Sequence, residues 1–288
     1  MFKQHLILKI GILIISILIL CCIAGFKFFF NPLMSFNPSD IPPITASPMN
    51  IHDIYAISQF RSNSGHDYSV QAWDGESCRS MKHYFNTNMN MDAQNMPIRS
   101  QPSDGHPNIN IYAPFDGTIT DNEQEQVPIG RQIHIASAQN PSYYVIIFHV
   151  DLLPSLHVGS TVTSGQQIGT VGPMDGIDIA YRANLITMKV VYLSIFDSMT
   201  PQAFALFAAL GYKPNDFILT RAQADANGYQ CNGEQFTNAP QTSPGSPREG
   251  VVELRPNPWT AAYDQAHHIG QQGGLPQTQD HNQLGNWH

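Results

Sequence analysis

The sequence predicts a mainly β domain, preceded by an apolar membrane-spanning helix and followed by a short helical extension. Three observations lead there. Short alternating or β-branched runs fill residues 51–195, glycines punctuate those runs, and one long apolar stretch stands near the N-terminus.

The apolar stretch covers residues 10–30, interrupted only by Ser16 and Lys27. A bilayer-spanning helix needs roughly 20 such residues. Lys27 lies near one end, where its ammonium can snorkel to the headgroups. A cleaved leader would have an apolar core of about 7–15 residues closed by small residues. No Ala-x-Ala site closes this run, and bulky Leu20 precedes Cys21, which argues against lipoprotein processing. A retained single-pass anchor is therefore expected. Lys3 and Lys9 precede the span, and after Lys27 no Lys or Arg occurs until Arg61. That asymmetry predicts cytoplasmic residues 1–9, a cell-membrane location and an extracytoplasmic bulk.

Residues 31–50 read as a stalk, because Pro32, Pro38, Pro42, Pro43 and Pro48 oppose regular structure. Within 51–195, strands are expected at 109–113, 132–136, 143–150, 167–171 and 186–193. The strand 143–150 should be central, with His149 at its cleft end. The extension, 196–238, opens with Thr200-Pro201, a good N-cap followed by a proline suited to the first helical position. A helix over 201–210 should pack through Phe204 and Phe207 and end at Gly211. Residues 239–288 are rich in Pro, Gly, Gln and His and read as a largely disordered tail, with 251–254 as one additional strand.

Lys and Arg number 14 against 22 Asp and Glu, for a formal net charge of −8. No basic patch stands out, which argues against a nucleic-acid partner. Cys78 and Cys231 are the two cysteines beyond the apolar stretch. In an oxidising compartment a disulfide is their simplest state, and two unpaired buried thiols are the other reading. Neither has a Cys-x-x-Cys neighbour, which argues against a zinc pair.

Two stretches carry a family resemblance. The first is Ile111-Tyr112-Ala113-Pro114-Phe115-Asp116-Gly117-Thr118-Ile119. The second runs from Tyr144 through His149 to Gly159-Ser160-Thr161-Val162 and Gly165-Gln166-Gln167-Ile168-Gly169. Physically, these are strands joined by glycine-permitted turns, and the second pattern is common to barrel-sandwich hybrid folds. In this order, with a histidine ending the strand between them, they resemble the lysostaphin/LytM-type zinc endopeptidases of bacterial cell walls. The resemblance implies a lysostaphin-like antiparallel β domain of the barrel-sandwich hybrid type. In that family a His-x-x-x-Asp pair and the last histidine of a His-x-His hold zinc, leaving a position open to water.

Matched residue by residue, the resemblance puts His149 at an auxiliary catalytic histidine. Asp67 falls at the aspartate ligand, in Asn63-Ser64-Gly65-His66-Asp67-Tyr68. Asn63 stands where the first ligand histidine belongs, and Asp178 and Ala180 stand at the His-x-His positions. The set of zinc ligands is thus degenerate, and no zinc is expected at the family's site. A substitute site drawn from His66, Asp67 and His83, with His149, is the alternative. His66 and His149 are the candidate catalytic residues in that case. Without a metal, His149 is expected to persist as a neutral hydrogen-bonding group.

Gly65 to Ser69, the block from Glu76 to Phe85, Ser194 to Met199 and Cys231 to Phe236 further resemble a membrane-anchored subgroup related to these peptidases. The expected function is a non-catalytic or weakly catalytic peptidase-like binder of cell-wall peptide or an envelope partner. An active zinc metalloendopeptidase acting on peptidoglycan is the alternative. Thr187-Met188-Lys189-Val190 is similar to the modified-lysine turn of biotinyl and lipoyl carriers. It comes well after Gly172, however, and inside an apolar run, so Lys189 is read as an outward strand lysine.

Overall fold

The computed structural model describes residues 13–20, 33–87, 90–91, 97–98, 109–125, 130–172, 176–238 and 250–254. Residues 13–20 of the expected span are helical and exposed, and 10–12 and 21–30 lie outside the described residues. Among the described residues no helix is long and apolar enough to cross a membrane. Most of the tail expected at 239–288 also lies outside the described residues.

The domain is mainly antiparallel β. Its strands are β1 (Ile54–Ser58), β2 (His83–Thr87), β3 (Asn90–Met91), β4 (Pro97–Ile98), β5 (Asn110–Tyr112) and β6 (Gly117–Gln124). They continue with β7 (Arg131–Ser137), β8 (Tyr143–Leu152), β9 (Thr161–Val162), β10 (Gln167–Val171), β11 (Gly176–Asn184) and β12 (Val190–Leu193). A hairpin of β13 (Cys231–Asn232) and β14 (Gln235–Phe236) follows, then β15 (Val251–Glu253). Eleven of these form one sheet in the order β15-β1-β2-β11-β8-β7-β6-β9, with β10 joining β5 to β8 and β12 flanking β11. The expected strands at 109–113, 132–136, 143–150 and 167–171 correspond to β5, β7, β8 and β10.

The run 186–193 differs from expectation. Leu185 N–H donates to the Lys189 carbonyl and Met188 N–H to that of Leu185, and Met188 has φ 62°. These residues are the turn of a β11–β12 hairpin, so the strand starts at Val190 and Lys189 belongs to the turn rather than to a strand. Residues 33–50 also differ from a free stalk. Ile44 and Met49 are buried and bridge to Met199 and Ile111, so the proline-rich segment lies along the domain.

Strand alternation sorts side chains into two faces. Phe85, Tyr143, Val145, Ile147, Ile177, Ile179, Tyr181 and Ala183 point into the main core. Tyr84, Tyr144, Ile146, Phe148, Asp178, Ala180 and Arg182 fall on the other face by the same rule. Helix α1 (Pro201–Ala209) closes one end of the core. Thr200 Oγ1 accepts from Ala203 N–H, and Phe204 and Phe207 are buried against Phe196 and Phe217. Helix α2 (Arg221–Asn227) leads to the β13–β14 hairpin, which a Cys78–Cys231 disulfide ties to the loop before β2.

Candidate functional site

The site lies on the face of the sheet away from the main core, where β2, β11 and β8 run side by side. Asp178 of β11 pairs in register with Tyr84 of β2, and Ala180 with Ile146 of β8. Simple alternation would send His149 into the core, two residues beyond Ile147. A β-bulge prevents this. Arg131 pairs with Val150 and Ile133 with Ile147, so Phe148 and His149 together stand opposite Gln132. His149 takes φ 64°, a left-handed conformation uncommon for a side-chain-bearing residue. The bulge returns Val150 to the core and turns His149 onto the same face as Phe148.

His149 is then held from two sides. Its Nδ1 lies 3.0 Å from Glu125 Oε2, which also accepts the His149 backbone N–H at 3.2 Å. Its Nε2 lies 3.5 Å from Asp178 Oδ2. Burial disfavours the imidazolium, but hydrogen bonds and charges from Asp178 and Glu125 outweigh it and raise the pKa to about 9. His149 is therefore a cation at neutral pH, correcting the expectation of a neutral group.

Lys82, immediately before β2, sits at the centre. Its Nζ donates to Asp178 Oδ2 at 2.7 Å and meets His66 Nε2 at 3.0 Å. The rings of Phe148, Tyr84 and Tyr68 face the ammonium at 4.4, 4.8 and 5.0 Å. The side chain is only 2% exposed. Burial alone would lower the lysine pKa, yet Asp178 and the two tyrosines raise it above the ordinary value. Burial likewise pushes the Asp178 carboxyl up, and Lys82 and His149 outweigh it, leaving a value of about 2. Lys82 and His149 are thus the cations, and Asp178 is the carboxylate between them.

His66 has its own orientation. An ammonium has three donors and no acceptor, so His66 Nε2 presents its lone pair to Lys82. The proton is then on Nδ1, which donates to the Asp67 carbonyl at 3.1 Å. Burial, followed by the charge of Lys82, lowers the His66 pKa and keeps the ring neutral.

The other sequence candidates are elsewhere. Asp67 is occupied as a turn cap: its Oδ1 accepts from Ser69 N–H, Ser69 Oγ and Arg79 N–H. His83 points to the opposite face, where Nδ1 meets the Ser58 carbonyl and Nε2 meets Ser194 Oγ. Full burial lowers its pKa to about 4. Asn63 is buried with its amide nitrogen unpartnered. Ala180 packs between Ile146 and Phe148. The structure brings His66, His149 and Asp178 together and leaves Asp67 and His83 out. Lys82 and Glu125, absent from the sequence-based set, complete the site.

A cleft of about 700 Å³ lies beside this centre, lined by Tyr68, Tyr192, Arg182, Met188, Asp67 and Glu234 among others. The disulfide-tied hairpin supplies Glu234, whose carbonyl accepts the Asp67 N–H at 2.7 Å.

No family model matches the chain, and no curated protein matches it. Solved structures are similar to it at low identity. Csd3 of Helicobacter pylori is 12% identical, over 55% of this chain and 35% of that one, with a TM-score of 0.36. Lysostaphin from Staphylococcus simulans is 15% identical over 74% of this chain and 79% of that one, with a TM-score of 0.34. A chain of the SpoIIQ–SpoIIIAH pore-forming complex is 12% identical over 59% of this chain and 99% of that one, with a TM-score of 0.35. The matched region spans about a third of Csd3's length.

The zinc that the sequence resemblance implies does not fit these residues. Ala180 offers no donor, Asp67 Oδ1 is committed to its turn, and an ammonium stands between His66 and Asp178. A zinc–nitrogen bond is about 2.0–2.1 Å. Among the described residues no group of three His, Cys, Asp or Glu is disposed to hold a metal.

Proposed function

We propose that this chain is a membrane-anchored, extracytoplasmic, peptidase-like protein that binds cell-wall peptide in its cleft without hydrolysing it. The supporting observation is the ammonium of Lys82, held by Asp178 and His66 at the centre of the polar site. A lysine pKa raised by its neighbours leaves no free amine to act as nucleophile or base. The Asp178 carboxylate, pinned by two cations, is a poor proton acceptor, because general-base work needs a pKa near the working pH. What remains is a rigid polar centre beside a partly apolar cleft, a combination suited to recognition. The apolar segment at residues 10–30 supplies the anchor, and the Lys3 and Lys9 asymmetry sets the domain outside.

The test pairs binding with turnover. Soluble cross-linked peptidoglycan fragments are titrated into the full chain and then incubated with and without added zinc. Binding that weakens in Arg182→Ala or Met188→Asp, with no fragment cleaved, is the expected result. Cleavage would establish the peptidase alternative. Absence of binding to every wall fragment would overturn the ligand assignment in favour of an envelope protein partner.

A further inference from the structure

Arg182 of β11 is a half-buried cation in the cleft wall, with no carboxylate at ion-pair distance among the described residues. Elsewhere in the domain Arg61 meets Glu76, Arg79 meets Glu76 and Asp225, and Lys82 meets Asp178. The polar groups around Arg182 are instead the phenols of Tyr68, Tyr144 and Tyr192. Asp67 and Glu234 also line the cleft, and neither serves as the counter-ion. Asp67 Oδ1 caps its turn, and the Glu234 side chain is 74% exposed, with Oε2 3.6 Å from His66 Nδ1. A cation held partly out of water is costly until an anion joins it.

The guanidinium is also held in place. Its Nε donates to the Tyr144 hydroxyl at 2.8 Å. That hydroxyl donates onward to Asn184 Oδ1 at 3.1 Å. The Tyr192 hydroxyl, likewise beside Arg182, donates to the Val70 carbonyl at 2.9 Å. Both phenolic protons are committed elsewhere, so both oxygens accept from Arg182. A guanidinium has five N–H donors, and two hydroxyls leave the rest of the planar fork to a ligand. That fork matches the two oxygens of a carboxylate. Beside it the lining turns apolar, with Leu185, Ile186, Met188 and Val190.

We infer that Arg182 is a carboxylate-binding residue, and that the cleft takes a peptide presenting a carboxylate next to an apolar side chain. The carboxylate docks on the free edge of the guanidinium, and the apolar side chain lies against Leu185, Ile186, Met188 and Val190. This inference rests on the reading of the cleft as a peptide site and adds the group by which the peptide is held. A C-terminus and an acidic side chain offer the same two oxygens, and the probes below tell them apart.

The experiment titrates three short probes into the full-length protein by calorimetry: N-acetyl-alanyl-alanine, its C-terminal amide, and N-acetyl-glutamyl-alanine amide. The expected result is that one of the two carboxylates binds roughly 10-fold or more tighter than the uncharged amide. Preference for the first assigns the C-terminus, and preference for the third an acidic side chain. Arg182→Gln should abolish the preference while leaving the affinity for the amide unchanged, and Arg182→Lys should keep only part of it. The comparison of probes needs the wild type alone, so it stands even if a variant fails to fold. Equal affinity for all three probes, or binding of none, overturns the inference, as does a preference that survives in Arg182→Gln. Soluble wall fragments, as free acids and amidated, separate this result from the wall reading. Fragments bound equally in both forms would keep that reading and sink this one. Carboxylate probes bound through Arg182, with no fragment bound, would do the reverse.

Discussion

At the scale of the residue, the site is a chain of alternating charges: Glu125, His149, Asp178 and Lys82. Removing His149 takes from Glu125 its imidazolium partner, and removing Asp178 takes from Lys82 its carboxylate partner, and each loss in so buried a place costs more than a surface pair is worth. The shifts fix a pH dependence. His149 has a folded-state pKa of about 9 against an ordinary 6.5, so its stabilisation is complete below pH 6.5 and is lost as pH rises through 9. Asp178 is lowered from 3.8 to about 2, so its contribution is present above pH 3.8 and is lost as pH falls through 2. Lys82 is raised, so its contribution begins to fade only above its ordinary value of 10.5. His83 and His134, both lowered to about 4, work in the opposite sense to His149 and erode stability as pH falls below 6.5. The difference between wild type and His149→Gln isolates one group. Urea unfolding at a series of pH values should show the wild-type advantage shrinking between pH 6.5 and 9. An advantage constant across that window would mean that His149 is not the imidazolium described.

At the scale of the element, the bulge in β8 decides which side chains meet. Gly130 makes room for it: a Cβ there would lie 2.7 Å from the His149 carbonyl carbon and 2.8 Å from its Cα, at φ +121°. Gly130→Ala combines a backbone clash with a conformation hostile to side chains, and should destabilise the domain on the order of 2 kcal/mol or more. The same variant should shift the His149 imidazole resonances, because the bulge aims the ring at Glu125 and Asp178. Unchanged stability with unchanged resonances would show that the bulge tolerates the methyl group. Much of the β architecture was legible in sequence, since β5, β7, β8 and β10 carry clear alternation and glycine turns. Gly176–Asn184 was not among the expected strands, although Ile177, Ile179, Tyr181 and Ala183 stand at every second place. The apolar run 186–193 drew a strand across what is a turn, because composition does not show that Leu185 closes on Lys189. His66 and His149 were nameable as polar residues beside family motifs. Lys82 was not, because a lysine between Met81 and His83 reads as an ordinary outward position. Its importance comes from Asp178, 96 residues away in the sequence. Glu125 follows β6, three strands across the sheet from β11, and gives no local sign of pairing with His149.

At the scale of the whole molecule, the Cys78–Cys231 disulfide joins segments 153 residues apart. Cross-linking so long a loop restricts the unfolded chain, and Cys78→Ser/Cys231→Ser should lower stability by about 2–5 kcal/mol in urea titrations. A neutral result would mean that non-covalent contacts, among them the Arg79–Asp225 pair and the Phe196–Phe217 stack, suffice to hold the extension. The bond has a second effect through geometry. It fixes the hairpin whose Glu234 carbonyl receives the Asp67 N–H, so one wall of the cleft is covalently tied to the loop that carries His66. A mouth built this way has its aperture set once the disulfide has formed, before any ligand arrives. Binding then costs little ordering of the wall. Two molecules with the same sequence but opposite thiol states would differ as a rigid gauge differs from a hinged one. The first would select ligands by width, and the second would yield to them.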